Sequence, residues 1–201
     1  MITRQQQFSL GITLGILILL VVGLYQKLAR NPDPDFLSDR AIMNEEYGFQ
    51  LSAPQDWSFL NIPNSILNYP RSEAQLIHKS RKVFCVLIPE LIQEGDRVTM
   101  DRFLDMVRTA ILKESPNAAF ESEIQVPSSW SERMRLIYSS TLNVLHVKWF
   151  IQLDLTPKIA YRTIGWCDQE AFASHLPGFQ EIGDSLQEIR SQKKEELGVQ
   201  K

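Results

Sequence analysis

The chain offers few side chains able to do chemistry, and their spacing argues against most reactions. Its three histidines, His78, His146 and His175, lie far apart. A zinc site needs three or four ligands at close or convergent positions, and neither a Cys-x-x-Cys nor a His-Glu-x-x-His motif occurs. All three histidines read as surface residues: His78 in a basic turn, His146 on the polar side of a strand, His175 in the last helical region. No metal ligand and no cofactor site is assigned. Cys85 and Cys167 each fall in an apolar strand pattern, which favours buried free thiols. A disulfide would need their α-carbons within about 7 Å, and a nucleophile would need an activating base that cannot be placed from sequence. The nine glycines include no Gly-x-Ser-x-Gly elbow, P-loop or dinucleotide fingerprint. The carboxylate pairs Glu45-Glu46 and Asp33-Pro-Asp35 lie in or near a tether, a poor place for water-excluding acid–base work. No catalytic residue is assigned, and the chain is not expected to be an enzyme. An anchored hydrolase remains the least favoured alternative, with His146 and Cys167 as the distances that would test it.

Recognition is better represented. The turn His78-Lys79-Ser80-Arg81-Lys82 carries three permanent positive charges. It suits anionic lipid or an acidic partner, although hairpin tips are also charged simply to stay hydrated. Trp130, in Pro127-Ser-Ser-Trp-Ser131, either anchors a partner or folds back as a lid on the sheet. The other tryptophans, Trp57, Trp149 and Trp166, read as packing residues.

These candidates need elements to hold them. Of 201 residues, 44% are hydrophobic and 22% charged, which excludes a disordered chain, and two cysteines exclude a disulfide-stapled scaffold. Alternation places Tyr47, Phe49, Leu51 and Ala53 on one face of a half-buried strand, closed by a turn at Pro54-Gln-Asp-Trp57. Residues 74–77 and 82–88 form two strands around the basic turn; the second is apolar on both faces and therefore central. Thr99 caps a helix whose stripe is Met100, Phe103, Leu104, Val107 and Ile111, ended by Ser115-Pro116. Strands follow at 120–126, 133–142, 145–155 and 159–167, the last two joined by a hairpin turn at Thr156-Pro157-Lys158. In the 145–155 strand Val147, Trp149, Ile151, Leu153 and Leu155 share the apolar face. His146, Lys148, Gln152 and Asp154 form the polar one, with Phe150 as the exception. Asp168 caps a helical stretch interrupted at Pro177-Gly178, after which Phe179, Ile182, Leu186 and Ile189 recur at helical spacing. Hairpin-linked strands around two helical segments define an α+β class with an antiparallel sheet.

The amino-terminal end is different in kind. No side chain charged at neutral pH occurs from Gln5 to Gln26, and residues 8–25 are dominated by Leu, Ile and Val. At about 1.5 Å per residue this window spans about 33 Å, enough for a hydrocarbon core of about 30 Å. No small-x-small cleavage site follows it, so an uncleaved single-pass anchor in the lipid bilayer is expected. Gly11 and Gly15 leave two bare patches on one helix face, where a second copy could approach as a homodimer. Residues 1–30 hold three basic and no acidic residues, so the remainder carries 18 basic and 24 acidic residues, a formal charge of −6. That charge disfavours nucleic acid as a partner. The organisation is thus an anchor with flanks (1–30), a proline-bearing stalk (31–44), one domain (45–190) and a polar tail (191–201).

The body resembles the PsbP/DcrB-like family. The resemblance rests on Tyr47-Gly-Phe49 followed by Pro54-x-x-Trp57, the mid-chain helix, the two long hairpin strands and the closing Phe179-x-x-Ile182-x-x-Ser185-Leu186. Asp56 stands where that family commonly has glycine before the tryptophan; aspartate tolerates a left-handed turn. The resemblance implies an α/β/α sandwich around an antiparallel sheet, and a binding or assembly module of an envelope membrane with a protein partner. Lys27, Arg30 and Arg40 after the span, against Arg4 before it, place the body in the cytoplasm on charge count alone. The resemblance implies the extracytoplasmic side, which is the expectation adopted. The alternative function is a small-ligand-binding domain with a pocket between the sheet and the terminal helices.

Overall fold

A computed structural model describes residues 36–61, 71–93, 95–142 and 144–189. The expected span at residues 8–25, with Gly11 and Gly15, and the tail at 191–201 lie outside the described residues. No helix among the described residues is long and apolar enough to cross a membrane.

Among the described residues, ten strands and two long helices follow in chain order: β1 (Ala41–Asn44), β2 (Phe49–Ser52), β3 (Trp57–Phe59), β4 (Ala74–His78), β5 (Phe84–Leu91), α1 (Met100–Glu114), β6 (Ala119–Gln125), β7 (Glu132–Leu142), β8 (Leu145–Leu155), β9 (Ile159–Asp168), α2 (Phe172–Ser185) and β10 (Gln187–Glu188). A seven-stranded sheet has the order β3-β4-β5-β9-β8-β7-β6, and a smaller one the order β1-β2-β10. Every pairing is antiparallel. This is the α+β class expected.

Strand alternation divides the interior into two cores. On one face Phe84, Val86, Ile88, Trp149, Ile151, Ile164 and Trp166 pack against Phe103, Leu104, Val107 and Ile111 of α1. On the other, Cys85, Leu87, Phe150, Tyr161 and Cys167 meet Phe172, Phe179 and Ile182 of α2 together with Phe49 and Leu51 of β2. A helix therefore covers each face, and the large sheet is the middle layer of a sandwich. The double coverage explains why residues 84–88 of β5 are apolar on both sides. It also removes the exception at Phe150, which is fully buried beneath α2.

Local chemistry sets the helix ends. Thr99 Oγ1 accepts the Arg102 N–H at 3.4 Å, and the Ser115 N–H closes the last turn of α1 on the Ile111 carbonyl at 2.7 Å. In the β8–β9 turn, the Thr156 hydroxyl accepts the Lys158 and Ile159 N–H groups at 3.3 and 3.0 Å.

Several expectations change. The stretch 31–44 was expected to be a free stalk, but its described part is built into the domain. The Leu37 N–H bonds the Phe59 carbonyl at 3.0 Å, and Ala41–Asn44 pairs with β2. The short β2 needs a neighbour to satisfy its outer backbone groups. The helix expected to break at Pro177-Gly178 runs through both residues as part of α2. An interior proline costs about 3 kcal/mol, which docking offsets: Phe172, Phe179, Ile182 and Gly183 are all buried. Leu186 and Ile189 were expected to continue the helix; instead Leu186 is extended (ψ 122°), and Gln187–Glu188 adds a strand to β2. The strand at 119–125 is an edge with mostly exposed side chains, Ile124 among them at 50%.

Three glycines let α2 lie close to the sheet. A Cβ on Gly165 of β9 would stand 2.3 Å from the Phe179 ring, one on Gly178 2.9 Å from Trp57 Nε1, and one on Gly183 2.6 Å from Gln152 Oε1. The space beneath the helix is filled by side chains at these points, where the ligand-binding alternative expected its cavity.

Candidate functional site

The polar residues of β7 and β8 come together because of their register. Arg133 stands opposite Asp154, and Arg135 opposite Gln152. All four point to the α2 side and are buried, Gln152 and Asp154 completely. The face expected to be solvated is therefore a covered polar network. Arg133 Nε donates to Asp154 Oδ1 at 2.6 Å and Arg135 Nε to Gln152 Oε1 at 2.8 Å. Gln152 Nε2 donates to Asp154 Oδ2 and to the Gly183 carbonyl, both at 2.8 Å. From the last turn of α2, Asp184 Oδ1 accepts from Arg133 Nη1 at 2.9 Å and from Arg135 Nη2. Buried charge is tolerated only when paired and hydrogen-bonded, and here two guanidinium groups share two carboxylates.

Trp130 sits on the outer edge of this network. The Ser131 hydroxyl donates to Asp154 Oδ1 at 2.6 Å, which ties the β6–β7 loop to the buried charges. The Trp130 ring lies 5.8 Å from the Arg133 guanidinium and meets Tyr161 edge-on at 5.8 Å. The residue is half-buried and packs on the α2-side core. Its loop still borders an open pocket of about 470 Å³, lined by Ser128, Ser129, Trp130, Arg133, Asp184 and Glu188 among others. Arg133 Nη2 is buried and has no hydrogen-bond partner among the described residues. The neighbouring Tyr161 hydroxyl donates to the Tyr47 carbonyl at 2.7 Å; burial, then Glu188 and Asp154, pushes its pKa up to about 12.

The basic turn is at the other end of the sheet. Phe84, Trp166, Trp149 and Tyr138 form one row across four strands, and Glu90, Ala160, Leu155 and Glu132 form another. The rows are six residue steps apart along β9, about 20 Å, with the turn beyond the first and Trp130 beyond the second. Lys79, Arg81 and Lys82 are exposed, but Lys79 Nζ is engaged with Asp56 at 2.8 Å, and that hydrogen bond holds the Asp56 carboxyl below its usual range. Arg81 takes the left-handed conformation (φ 59°) that forms the turn. Asp56 does not, so its turn before Trp57 is made without the left-handed residue anticipated there.

His78 is not a solvated turn residue. Its ring packs edge-on against Trp57 at 5.5 Å and His175 at 4.7 Å. Sequence distance kept these two histidines apart; α2 brings them together. Burial first, then the His175 charge, lowers the His78 pKa. Among the described residues no three potential ligands converge on a metal position. Ser80 Oγ lies 3.1 Å from His78 Nδ1, but the same ring nitrogen accepts the Ser80 N–H at 3.2 Å, a turn-stabilising pattern in an exposed loop. His146 Nδ1 is 3.2 Å from Thr141 Oγ1. Cys85 and Cys167 are buried and unlinked. Burial pushes both thiols up, Cys167 to about 12, the opposite of what a nucleophile needs.

A second cavity, of about 500 Å³, opens on the α1 side, with Leu91, Ile92, Val98, Phe103 and Met106 on its apolar walls and Glu90 and Arg102 among its charges. Beside it Arg162, 1% exposed on central strand β9, donates to Glu90 Oε1 at 2.5 Å. Sequence reasoning missed this cavity and the Arg133–Asp184 network alike. The network left one signal, the i, i+2 arginines of one strand facing the i, i+2 polar residues of the next.

The two-core sandwich with its small accessory sheet defines a PsbP/DcrB-like fold, as the opening strand, the Trp57 turn and the closing Phe179 segment implied. Solved structures that share it are cyanobacterial PsbP (CyanoP) of Synechocystis sp. PCC 6803 (TM-score 0.54, 9% identity, covering 79% of this chain and 95% of that one) and LpqN of Mycobacterium tuberculosis, involved in cell envelope biogenesis (0.54, 11%, 77% and 88%). The Ran-binding protein Mog1p of Saccharomyces cerevisiae also shares it (0.50, 8%, 78% and 97%). No protein-family model and no curated protein sequence matches the chain.

Proposed function

We propose that this chain is a membrane-tethered, noncatalytic interaction and assembly module. In this reading residues 8–25 hold it in the bilayer, its body lies on the extracytoplasmic side, and it docks a protein partner at the Trp130 pocket. One observation carries the docking surface: a half-buried tryptophan at the mouth of a polar pocket, fixed by a buried charge network. Tryptophan and arginine are the residues most enriched where interfaces concentrate binding energy. A structural neighbour involved in envelope biogenesis and another that binds Ran are consistent with such a role. Tethering raises the body's effective concentration for membrane-bound partners.

A photocrosslinking side chain at Ser129, in intact membranes, tests the site. The expected outcome is a discrete crosslinked adduct that Trp130→Ala abolishes. An adduct insensitive to that substitution would remove the pocket from the reading. Protease access in sealed vesicles tests the topology; a body degraded only from the cytoplasmic face would overturn the extracytoplasmic assignment.

A second reading is favoured by the cavity beside α1, whose volume and largely apolar wall suit a small amphipathic ligand. Mass spectrometry of molecules that copurify with the chain tests it. Loss of a bound molecule in Met106→Trp would support it, and the absence of any bound molecule would count against it.

A further inference from the structure

We infer that the Trp130 pocket takes an extended peptide segment bearing a lysine or arginine. The inference rests on the docking reading above and adds the chemistry of the partner.

Three observations converge on it. First, the charges in and directly behind the pocket are two arginines, Arg133 and Arg135, against three carboxylates, Asp154, Asp184 and Glu188. The arginines are already committed to Asp154 and Asp184, so an incoming anion would meet unbalanced negative charge and an incoming cation would complete the set. Asp184 is half-exposed, and both arginines bond its Oδ1. Glu188 is exposed on the pocket rim.

Second, Arg133 lines the pocket with Nη2 unpartnered among the described residues, although the residue is only 5% exposed. A buried donor without an acceptor is costly, and a neutral peptide carbonyl supplies an acceptor without adding charge. Third, among the described residues β10 is an outer strand of the small sheet, paired with β2, and its Gln187 and Glu188 both line the pocket. An outer strand is where an extended segment is laid down. The alkyl stem of a lysine or arginine would then pass over Trp130 while its head reaches Asp184 and Glu188.

Fluorescence anisotropy of the full chain in detergent micelles tests this with labelled hexapeptides that differ at one central position: lysine, norleucine or glutamate. The lysine peptide is expected to bind about fivefold more tightly than the norleucine one at low ionic strength, as for a partly exposed ion pair, with the advantage shrinking in high salt. The glutamate peptide is expected to bind most weakly. Glu188→Gln, a surface change, should cut the lysine-to-norleucine ratio to about twofold. Equal or tighter binding of the glutamate peptide would overturn the inference, as would a ratio unmoved by Glu188→Gln. In either case loss of all peptide binding in Trp130→Ala would leave the docking reading standing. Peptide binding indifferent to Trp130→Ala would sink that reading itself, as would no binding by any peptide. A tenfold or greater gain on removal of residues 190–201 would show that the chain's own Lys193-Lys194 tail holds the pocket, and would overturn the assignment to a partner.

Discussion

Asp154 is the residue whose loss should be felt most. It is fully buried on β8 and accepts from Arg133 Nε at 2.6 Å, Ser131 Oγ at 2.6 Å and Gln152 Nε2 at 2.8 Å. Asp154→Asn preserves the shape and one acceptor oxygen but removes the charge that balances a guanidinium 5% exposed. Removing one partner of a buried ion pair costs about 3–5 kcal/mol. The retained acceptor and the remaining Arg133–Asp184 bond put this substitution near the low end, about 3 kcal/mol. In a domain of this size that lowers Tm by about 6–12 °C. Urea unfolding of the full chain in micelles, followed by tryptophan fluorescence, measures it. A double-mutant cycle with Arg133→Met should return a coupling of at least about 1.5 kcal/mol, because the double variant no longer buries an unpaired charge. A loss below about 1 kcal/mol, or a cycle additive to within about 0.5 kcal/mol, would show that water reaches these charges and would refute the reasoning.

Three other outcomes follow from the same packing. Gly165→Ala should destabilise by about 3 kcal/mol, the upper part of the range for overpacking, because its Cβ would stand 2.3 Å from Phe179. That ring is held between Phe150 at 6.0 Å and Trp57 at 5.6 Å, and a cost under about 1 kcal/mol would mean it can retreat. With its thiol at about 12 against an ordinary 9.0, Cys167 should alkylate about a thousandfold more slowly in the native chain than in the unfolded one near neutral pH. Rapid native labelling would contradict the burial. His175→Gln should raise the His78 pKa, since both the burial and the neighbouring charge that depress it are lessened. A depressed imidazole contributes stability above its ordinary 6.5 that is lost as pH falls through the folded value, so the variant should also lose less stability below pH 6.5. An imidazole NMR titration in which His78 stays unmoved would count against the ring contact.

The fold was more legible in the sequence than the site. α1 announced itself through a cap, a five-residue stripe and a Ser-Pro stop, all local signals. β5 could be placed inside the sheet because residues 83–88 carry no polar side chain on either face. Helix α2 was misread because proline and glycine are local breakers, while what carries the helix through them is long-range: Phe179 filling the space over Gly165, and Gly178 against Trp57. Gln152 and Asp154 looked like a wetted face because their complements lie on another strand. Only the register, which sets Arg133 opposite Asp154 and Arg135 opposite Gln152, turns four polar residues into one layer, whose remaining positive charge Asp184 balances from α2. Trp130 was found as a candidate from its type and loop, but the guanidinium beneath it was not. Likewise nothing within the 96 residues of intervening chain says that His78 and His175 touch.

The network's role is better described as orientation than as stability. Buried ion pairs are weak stabilisers once desolvation is counted, and apolar groups of similar size often hold a core as well. An apolar pair at 133 and 154 would leave nothing to hold Ser131, whose bond to Asp154 fixes the residue after Trp130, and no cation beneath the indole. The connection runs from Asp184 at the end of α2, through the arginines to Asp154, and from there into the β6–β7 loop. The double variant Arg133→Leu/Asp154→Leu should therefore keep a stability within about 2 kcal/mol of the native chain while freeing Trp130. Acrylamide quenching separates the two effects, because Trp57, Trp149 and Trp166 are at most 4% exposed and the accessible emission comes from Trp130. Quenching should rise while the urea midpoint holds near its native value. A Trp130 that stays as protected as before would show that the loop positions itself, and that the charges under it serve the core alone.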